Sequence, residues 1–419
     1  MRIAVIGSGI AGLTAAHLLN RRHEVWLFEK DGRFGGHTHT IPVTDPTGAT
    51  VALDTGFLVH NEQTYPNLIR LFRELGVETQ PSDMSFSVHC PRTGFEYSSR
   101  GLAGFFAQRR NVLRPGHLRL LAEIVRFNRL GARAAADDQA RRWTLGQFLD
   151  THRFGGEFRD RYLYPMTSAI WSTSFADIRR YPVLALVRFL ENHGMLSVGR
   201  PPTWKTVRGG SSRYLGPILS PLGARAVLGA AVTAVERCGE HVTVTCDGQP
   251  PRRFDAVVLA THGHQALGVL RNPTATERDV LGAFRTSRND TWLHTDTSWL
   301  PTRPAARASW NYRLSADPSS PPSVTYHLNR LQQLDTAQQY CVTLNPDREI
   351  PAERVLRRMI YEHPLYTHDA LAAQGRWAEI SGRDRIHYCG AYWFYGFHED
   401  GVRSGIRVAR ALGVEWGHA

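Results

Sequence analysis

The chain has 419 residues, 50 of them basic and 38 acidic, for a formal charge of +12, with 42% hydrophobic and 21% charged residues. That composition belongs to a globular chain with room for two domains and a sizeable core. Lysine occurs only at Lys30 and Lys205, and the GK[ST] tripeptide of a Walker phosphate loop is missing, so P-loop chemistry is excluded and a Schiff-base enzyme has two positions to draw on.

The five cysteines, Cys90, Cys238, Cys246, Cys341 and Cys389, include no CxxC pair, and their odd number fits no disulfide framework. A reduced, cytoplasmic setting is therefore expected. No run of 18 apolar residues is long enough to span a bilayer. Met1-Arg2 and the apolar stretch behind them have the outline of a signal peptide, but three glycines at fixed spacing point elsewhere.

Ile3-Ala4-Val5-Ile6 reads as a buried parallel strand, Gly7-Ser8-Gly9-Ile10-Ala11-Gly12 follows at once, and Leu13 to Asn20 reads as a helix. A second strand, Glu24 to Phe28, ends at Glu29. This is the βαβ dinucleotide fingerprint in its required context. Gly7 permits the turn, Gly9 admits a pyrophosphate close to the backbone, and Gly12 lets helix and strand pack. The helix start, with Ile10 and Ala11, offers free amides and a positive dipole end. Glu29 stands where a carboxylate accepts from ribose hydroxyls and repels a 2′-phosphate, which disfavours NADP. Lys30 and then Arg33-Phe34-Gly35-Gly36-His37-Thr38 follow, and the paired glycines allow a second close approach to the cofactor.

Gly7 to Gly12, Glu29 and Gly35-Gly36 resemble the opening of the flavin-containing amine oxidase superfamily, which includes phytoene-type desaturases, protoporphyrinogen oxidases and bacterial FAD-dependent amine oxidoreductases. Leu53-Asp54-Thr55-Gly56 resembles its DxG element, and Arg208-Gly209-Gly210 its internal glycine pair. Tyr388-Cys389-Gly390-Ala391 and Glu399-Asp400-Gly401-Val402-Arg403-Ser404-Gly405 resemble its second flavin motif. The resemblance implies an FAD cofactor held by these elements, with Thr55, Gly56, Val232, Gly390, Glu399, Asp400, Gly401 and Val402 joining the opening residues. In that superfamily the last motif begins a helix whose amides face the flavin, where a positive dipole end stabilises the reduced ring. Asp400-Gly401 departs from the usual Gly-Ala and puts an additional carboxylate there. The spacing around Cys389 does not resemble a covalent attachment site, so dissociable FAD is expected.

Along the chain, Leu68, Leu71, Phe72 and Leu75 predict a helix closed by Gly76. Ser82 to Tyr97 reads as hairpin-like strands, Gly101 to Leu130 as an arginine-rich amphipathic segment, and 131–199 as mostly helical. Ala226 to Val235, His241 to Cys246 and Phe254 to Ala260 read as strands. Trp292 to Thr297, Ala308 to Arg313, Val324 to Leu328 and Tyr340 to Leu344 predict an antiparallel sheet. Glu353 to Tyr361 reads as a helix. The expected fold class is α/β: a Rossmann-like FAD-binding domain of the glutathione-reductase type (1–80, 200–270 and 375–419), with an inserted mixed α+β substrate domain containing the antiparallel sheet (81–199 and 271–374).

Flavin performs the electron transfer, so the protein groups that matter are those near the ring. His37 is placed to approach flavin or substrate. With His39 it forms an HxH pair, but no acidic or cysteine partner stands at ligand spacing, and no metal is expected. Trp393 and Tyr395, in an aromatic run before the last motif, are candidates for a wall over the flavin as well as for ordinary core. Lys205 is a candidate for the lysine that amine oxidases of this superfamily place near the flavin, or a surface residue. The leading function is an FAD-dependent oxidoreductase taking hydride from a C–H bond of a hydrophobic substrate, as in desaturation of a fatty acyl or isoprenoid chain. The alternatives are an amine oxidase releasing peroxide, an isomerase of the galactopyranose mutase type, and a non-catalytic flavin-binding subunit. No nucleic-acid motif accompanies the positive charge. The basic segment at 101–130 reads either as a lipid-surface contact or as a solvated helix face.

Overall fold

The computed structural model describes residues 1–134, 142–192, 202–315, 317 and 320–417. Strand β1 (Arg2–Ile6), helix α1 (Ile10–Leu19) and strand β2 (Glu24–Phe28) form the opening βαβ unit. All strands of its sheet run parallel, in the order Ala226–Val227, β2, β1, Ala256–Leu259, Ile386–Tyr388. The central strands are apolar throughout because helices and loops cover both faces: Ile3, Ala4, Val5, Val257 and Val258 are fully buried. Parallel pairing brings the carboxyl ends of β1, β2, Ala256–Leu259 and Ile386–Tyr388 to one edge. That edge carries Gly7, Glu29, Ala260 and Cys389, and it is where open α/β sheets bind ligands.

Helix α2 (Pro66–Glu74) starts on a proline and buries Leu68, Leu71 and Phe72, as the periodicity predicts. Helix α3 (Pro115–Ala134) is the longest in the inserted region. A seven-stranded sheet unites two distant stretches of chain, in the order β3 (Val355–Pro364), Thr286–His294, Cys341–Leu344, Ser323–His327, Trp310–Arg313, Phe86–Cys90, Phe95–Ser98. Every pairing is antiparallel except that of Trp310–Arg313 with Phe86–Cys90. Helix α4 (His398–Ala411) closes the fold.

Two segments depart from the sequence reading. Glu353 to Tyr361, expected as a helix, is mostly the edge strand β3, paired over its length with Thr286–His294. Its apolar residues Val355, Leu356, Met359 and Ile360 fit a helical stripe as well as a strand. The long partner strand, which needs a second neighbour, decides for the sheet. Ala226 to Val235, expected as one strand, divides into Ala226–Val227 in the parallel sheet and Val232–Cys238 in a separate three-stranded sheet.

The interior forms two hydrophobic clusters. One surrounds the parallel sheet and includes Leu13, Phe28, Val257, Trp393 and Val408. The other fills the space between the seven-stranded sheet and the helices of the inserted region, with Phe105, Phe127, Trp171, Tyr312 and Tyr366.

Candidate functional site

The site begins at the carboxyl edge of β1. A Cβ at Gly12 would collide with the Gly7 carbonyl, so glycine there is dictated by the packing of α1 on its own turn. Gly9 is different. Its φ of −65° suits any residue, and a Cβ built on it meets nothing within 4 Å. No protein atom requires glycine at position 9; the residue is matched to something that lies against it. Gly9 is also the N-cap of α1 and gives the helix no side-chain cap, so the first amides point outward without a protein partner.

Ser8, to which the sequence reading assigns no role, ties the site together. The Glu29 carboxylate accepts from the Ser8 amide (3.0 Å) and hydroxyl (2.6 Å), and from the Asp31 amide (3.0 Å). The same hydroxyl accepts from the Gly35 amide at 3.0 Å. Glu29 is thereby held beside α1, and Gly36, with a positive φ of 57°, is packed so that its Cβ would stand 3.1 Å from Gly9 Cα. Lys30 is exposed, and the Arg33 guanidinium donates to the Thr38 carbonyl (3.3 Å). Val232 lies just past Ala230, whose amide donates to the Glu29 carbonyl (2.8 Å).

The second half of the site comes from the far end of the chain. A Cβ at Gly401 would collide with Ile10 Cγ2, and one at Gly405 would lie 2.7 Å from the Ala11 carbonyl and 2.8 Å from Thr14 Cβ. The contacts advance together, 401 with 10–11 and 405 with 11–15, so α1 and α4 run parallel with their N-termini side by side. Two aligned dipoles repel, and an anion at the shared positive end relieves that repulsion. The Gly390 amide donates to Ser404 (3.0 Å), joining Ile386–Tyr388 to α4. Val402 is fully buried.

Glu399 turns away from this junction. Its carboxylate accepts from the amides of Asn67 (3.2 Å) and Leu68 (2.9 Å) and so caps α2. Asp400 accepts from the Phe397 amide at 3.0 Å, with Arg403 3.6 Å away, and burial pushes its carboxyl up to about 7. Asp54, in the DxG element, accepts from the Ser211 amide (2.9 and 3.0 Å) and the Thr40 hydroxyl (2.6 Å), and burial raises it to about 6.

Beyond the paired glycines lies a group of histidines held neutral. His37 stacks on Tyr361 (5.0 Å between ring centres) and approaches His363 (5.3 Å); its Nε2 is buried without a hydrogen-bond partner. Burial holds His37 well below its ordinary value and lowers His363 and His262 to about 4. His398, the first residue of α4, stacks on Phe57 at 3.7 Å and meets the Thr38 hydroxyl at 3.2 Å; burial lowers it to about 3. The Thr55 hydroxyl meets the Tyr361 hydroxyl at 2.7 Å, and a Cβ at Gly56 would collide with the His37 carbonyl. The fold thus gathers Gly9, Ile10, Ala11, Gly36, His37, Thr55, Gly56 and Gly401 in one region.

Other sequence candidates lie further out. Trp393 is buried in the parallel-sheet cluster against Phe284 (4.8 Å). Tyr395 is half-buried against the second cluster. Lys205 pairs with the exposed Glu62, across the strand pair from His60.

The chain matches the sequence profile of the Flavin containing amine oxidoreductase family over residues 10–331. A Mycobacterium tuberculosis protein named as a flavin-containing monoamine oxidase is 30% identical over 269 residues, which are 61% of this chain and 56% of that protein. The chain therefore spans little more than half the length of that curated relative. Among solved structures, the cyclohexylamine oxidase of Brevibacterium oxydans (15% identical) and a CLA-producing fatty acid isomerase from P. acnes (16%) each superpose with a TM-score of 0.69, covering 98% of both chains. Likeness at such identities concerns the fold.

The chain belongs to the flavin containing amine oxidoreductase family. It is by class a flavin-dependent oxidoreductase, with FAD as its cofactor. The residues fit that group: open space against Gly9 and the uncapped start of α1 for the diphosphate, the start of α4 beside it for the ring, the anchored Glu29 for a ribose, and the orphaned Nε2 of His37. When bound, the flavin supplies a two-electron acceptor.

Proposed function

We propose that this chain removes a hydride from a C–H bond of an apolar substrate, in the concrete form a desaturation of a fatty acyl or isoprenoid chain. The supporting observation is the second hydrophobic cluster. It continues from Phe105 and Phe127 in the inserted region through Tyr366 to Tyr395 and Phe397, directly before α4. A cationic substrate would need an anionic partner, and the carboxylates of this region are already committed: Asp54 to the Ser211 amide and Thr40 hydroxyl, Glu399 to the start of α2, and Asp400 to the Phe397 amide. In this reading Tyr395 and Phe397 shape the substrate face, Trp393 supports them from the core, and His37 orients the bound flavin or substrate through its free Nε2 as a neutral imidazole. Lys205 stands outside this arrangement. Residues 81–199 and 271–374 form the substrate-binding region, the remainder holds FAD, and the protein works in the cytoplasm. Among the described residues no helix is long and apolar enough to cross a membrane.

Amine oxidation is the second reading. It is favoured by the name of the Mycobacterium tuberculosis relative and by the likeness to cyclohexylamine oxidase. Anaerobic titration separates the two. Under the first reading, fatty acids or isoprenoids bleach the absorption of oxidised flavin and leave a new double bond in the product. Bleaching by primary amines alone, with peroxide released on admitting air, would assign the second.

A further inference from the structure

Nine large apolar side chains are exposed among the described residues, and five of them, Leu102, Val112, Leu113, Leu118 and Val125, fall within one stretch of 24 residues. Leu102 is 72% and Leu113 86% exposed. These are not frayed positions. The turns that carry them are pinned from below by Phe105, which is buried 4.2 Å from the His117 ring and whose carbonyl meets His117 Nε2 at 3.0 Å, and by Asn111, which donates to Gln108. A pinned segment that holds leucines out in water marks a contact surface.

The charge around these leucines has one sign. Residues 100–134 contain eight arginines and a single acidic residue, Glu123, which is buried and committed to the Gly155 amide (2.9 Å). Arg109, Arg110, Arg114 and Arg119 are exposed, and no described carboxylate pairs with them. Along α3, Leu118, Arg119, Val125, Arg126, Arg129 and Arg133 are all exposed and fall within an arc of about 120° at 100° per residue. Part of that face is an open groove of about 340 Å³ lined by Arg126, Arg129, Arg133, Leu130, Val125 and His152.

We infer that this face docks the protein on an anionic lipid bilayer. Leu102, Leu113 and Leu118 enter the headgroup and acyl boundary, the surrounding arginines meet lipid phosphates, and the α3 groove takes a phosphate-bearing headgroup. A nucleic acid would match the arginines but leave the leucines in water, whereas a bilayer satisfies both. The inference does not depend on which substrate is oxidised.

The test is sedimentation of the FAD-loaded protein with vesicles of phosphatidylcholine alone and of phosphatidylcholine mixed equally with phosphatidylglycerol. The expected result is capture by the mixed vesicles only, falling sharply between ~0.1 M and ~1 M salt. The double variant Leu102→Asn/Leu113→Asn should weaken capture by at least about tenfold, and each of Arg109→Gln, Arg110→Gln and Arg114→Gln by about fivefold. Flavin absorbance and melting temperature should be unchanged, since all five side chains are exposed. Capture indifferent to lipid charge, or unaltered in the leucine double variant, would overturn the inference.

Discussion

Position 9 separates what the chain requires from what its ligand requires. Serine is a good N-cap, and a Cβ at residue 9 meets nothing within 4 Å. Gly9→Ser should therefore leave the unfolding free energy of the apoprotein within about 0.5 kcal/mol of wild type. Its affinity for FAD, read by fluorescence titration, should fall by more than about tenfold, because the new side chain occupies the cofactor's approach. A variant that binds FAD normally would place the diphosphate elsewhere. Asp400 supports a pH prediction. Burial raises its carboxyl from 3.8 to about 7, so between those values the folded state binds the proton more tightly than the unfolded chain, and this contribution to stability is lost as pH rises through the window, by up to about 1.4 kcal/mol per unit. Asp400→Asn keeps an acceptor for the Phe397 amide and removes the titration. The apoprotein melting temperature should fall less steeply from pH 4 to 7 in the variant than in wild type, and parallel profiles would show that another group dominates. At this scale the packing role of Gly12 was legible, because only glycine fits against the Gly7 carbonyl. Ser8 was not: serine suits many turns, and its role depends on Glu29 and Gly35 converging in space.

Between elements, the decisive relation is the parallel contact of α1 and α4. Glycine at 401 and 405 lets the helices approach until backbone touches side chain, which aligns their N-termini on one target. Gly405→Ala places a methyl 2.7 Å from the Ala11 carbonyl and 3.0 Å from the Ala15 amide, and backbone cannot step aside as a flexible side chain does. The expected destabilisation is about 1–3 kcal/mol by denaturant unfolding of the apoprotein, accompanied by weaker FAD binding. Gly9→Ser should change binding alone, so the two variants distinguish loss of scaffold from loss of ligand space. The βαβ opening and α2 were readable because their periodicity, caps and turns agree. β3 was not: Val355, Leu356, Met359 and Ile360 satisfy a helical stripe and an edge strand equally, and the choice is made by Thr286–His294, some 65 residues away in sequence. The aromatic run was ambiguous for a related reason. Trp393 and Tyr395, two residues apart, belong to different hydrophobic clusters, a division that depends on how the chain turns between Ile386–Tyr388 and α4.

Across the whole molecule, residues 392 positions apart, Gly9 and Gly401, border one region, with the inserted segments between them in sequence but not in space. The parallel pairing of Trp310–Arg313 with Phe86–Cys90 was not legible, because short strands carry no mark of their neighbour. A ligand spanning both ends must couple them. Free FAD at a hundredfold excess over its dissociation constant should stabilise the fold by about 2.7 kcal/mol if it binds only the native state, and the coupling predicts where that stabilisation is felt. In hydrogen exchange of apoprotein against holoprotein, the first amides of α1 and of α4 should gain protection together, along with Gly35 and Gly36. The exposed face of α3, bounded by the other cluster, should exchange alike in both. Protection confined to α1 would mean that α4 does not share the ligand. Protection spread evenly over α3 would mean that FAD tightens the whole chain rather than joining two helix starts.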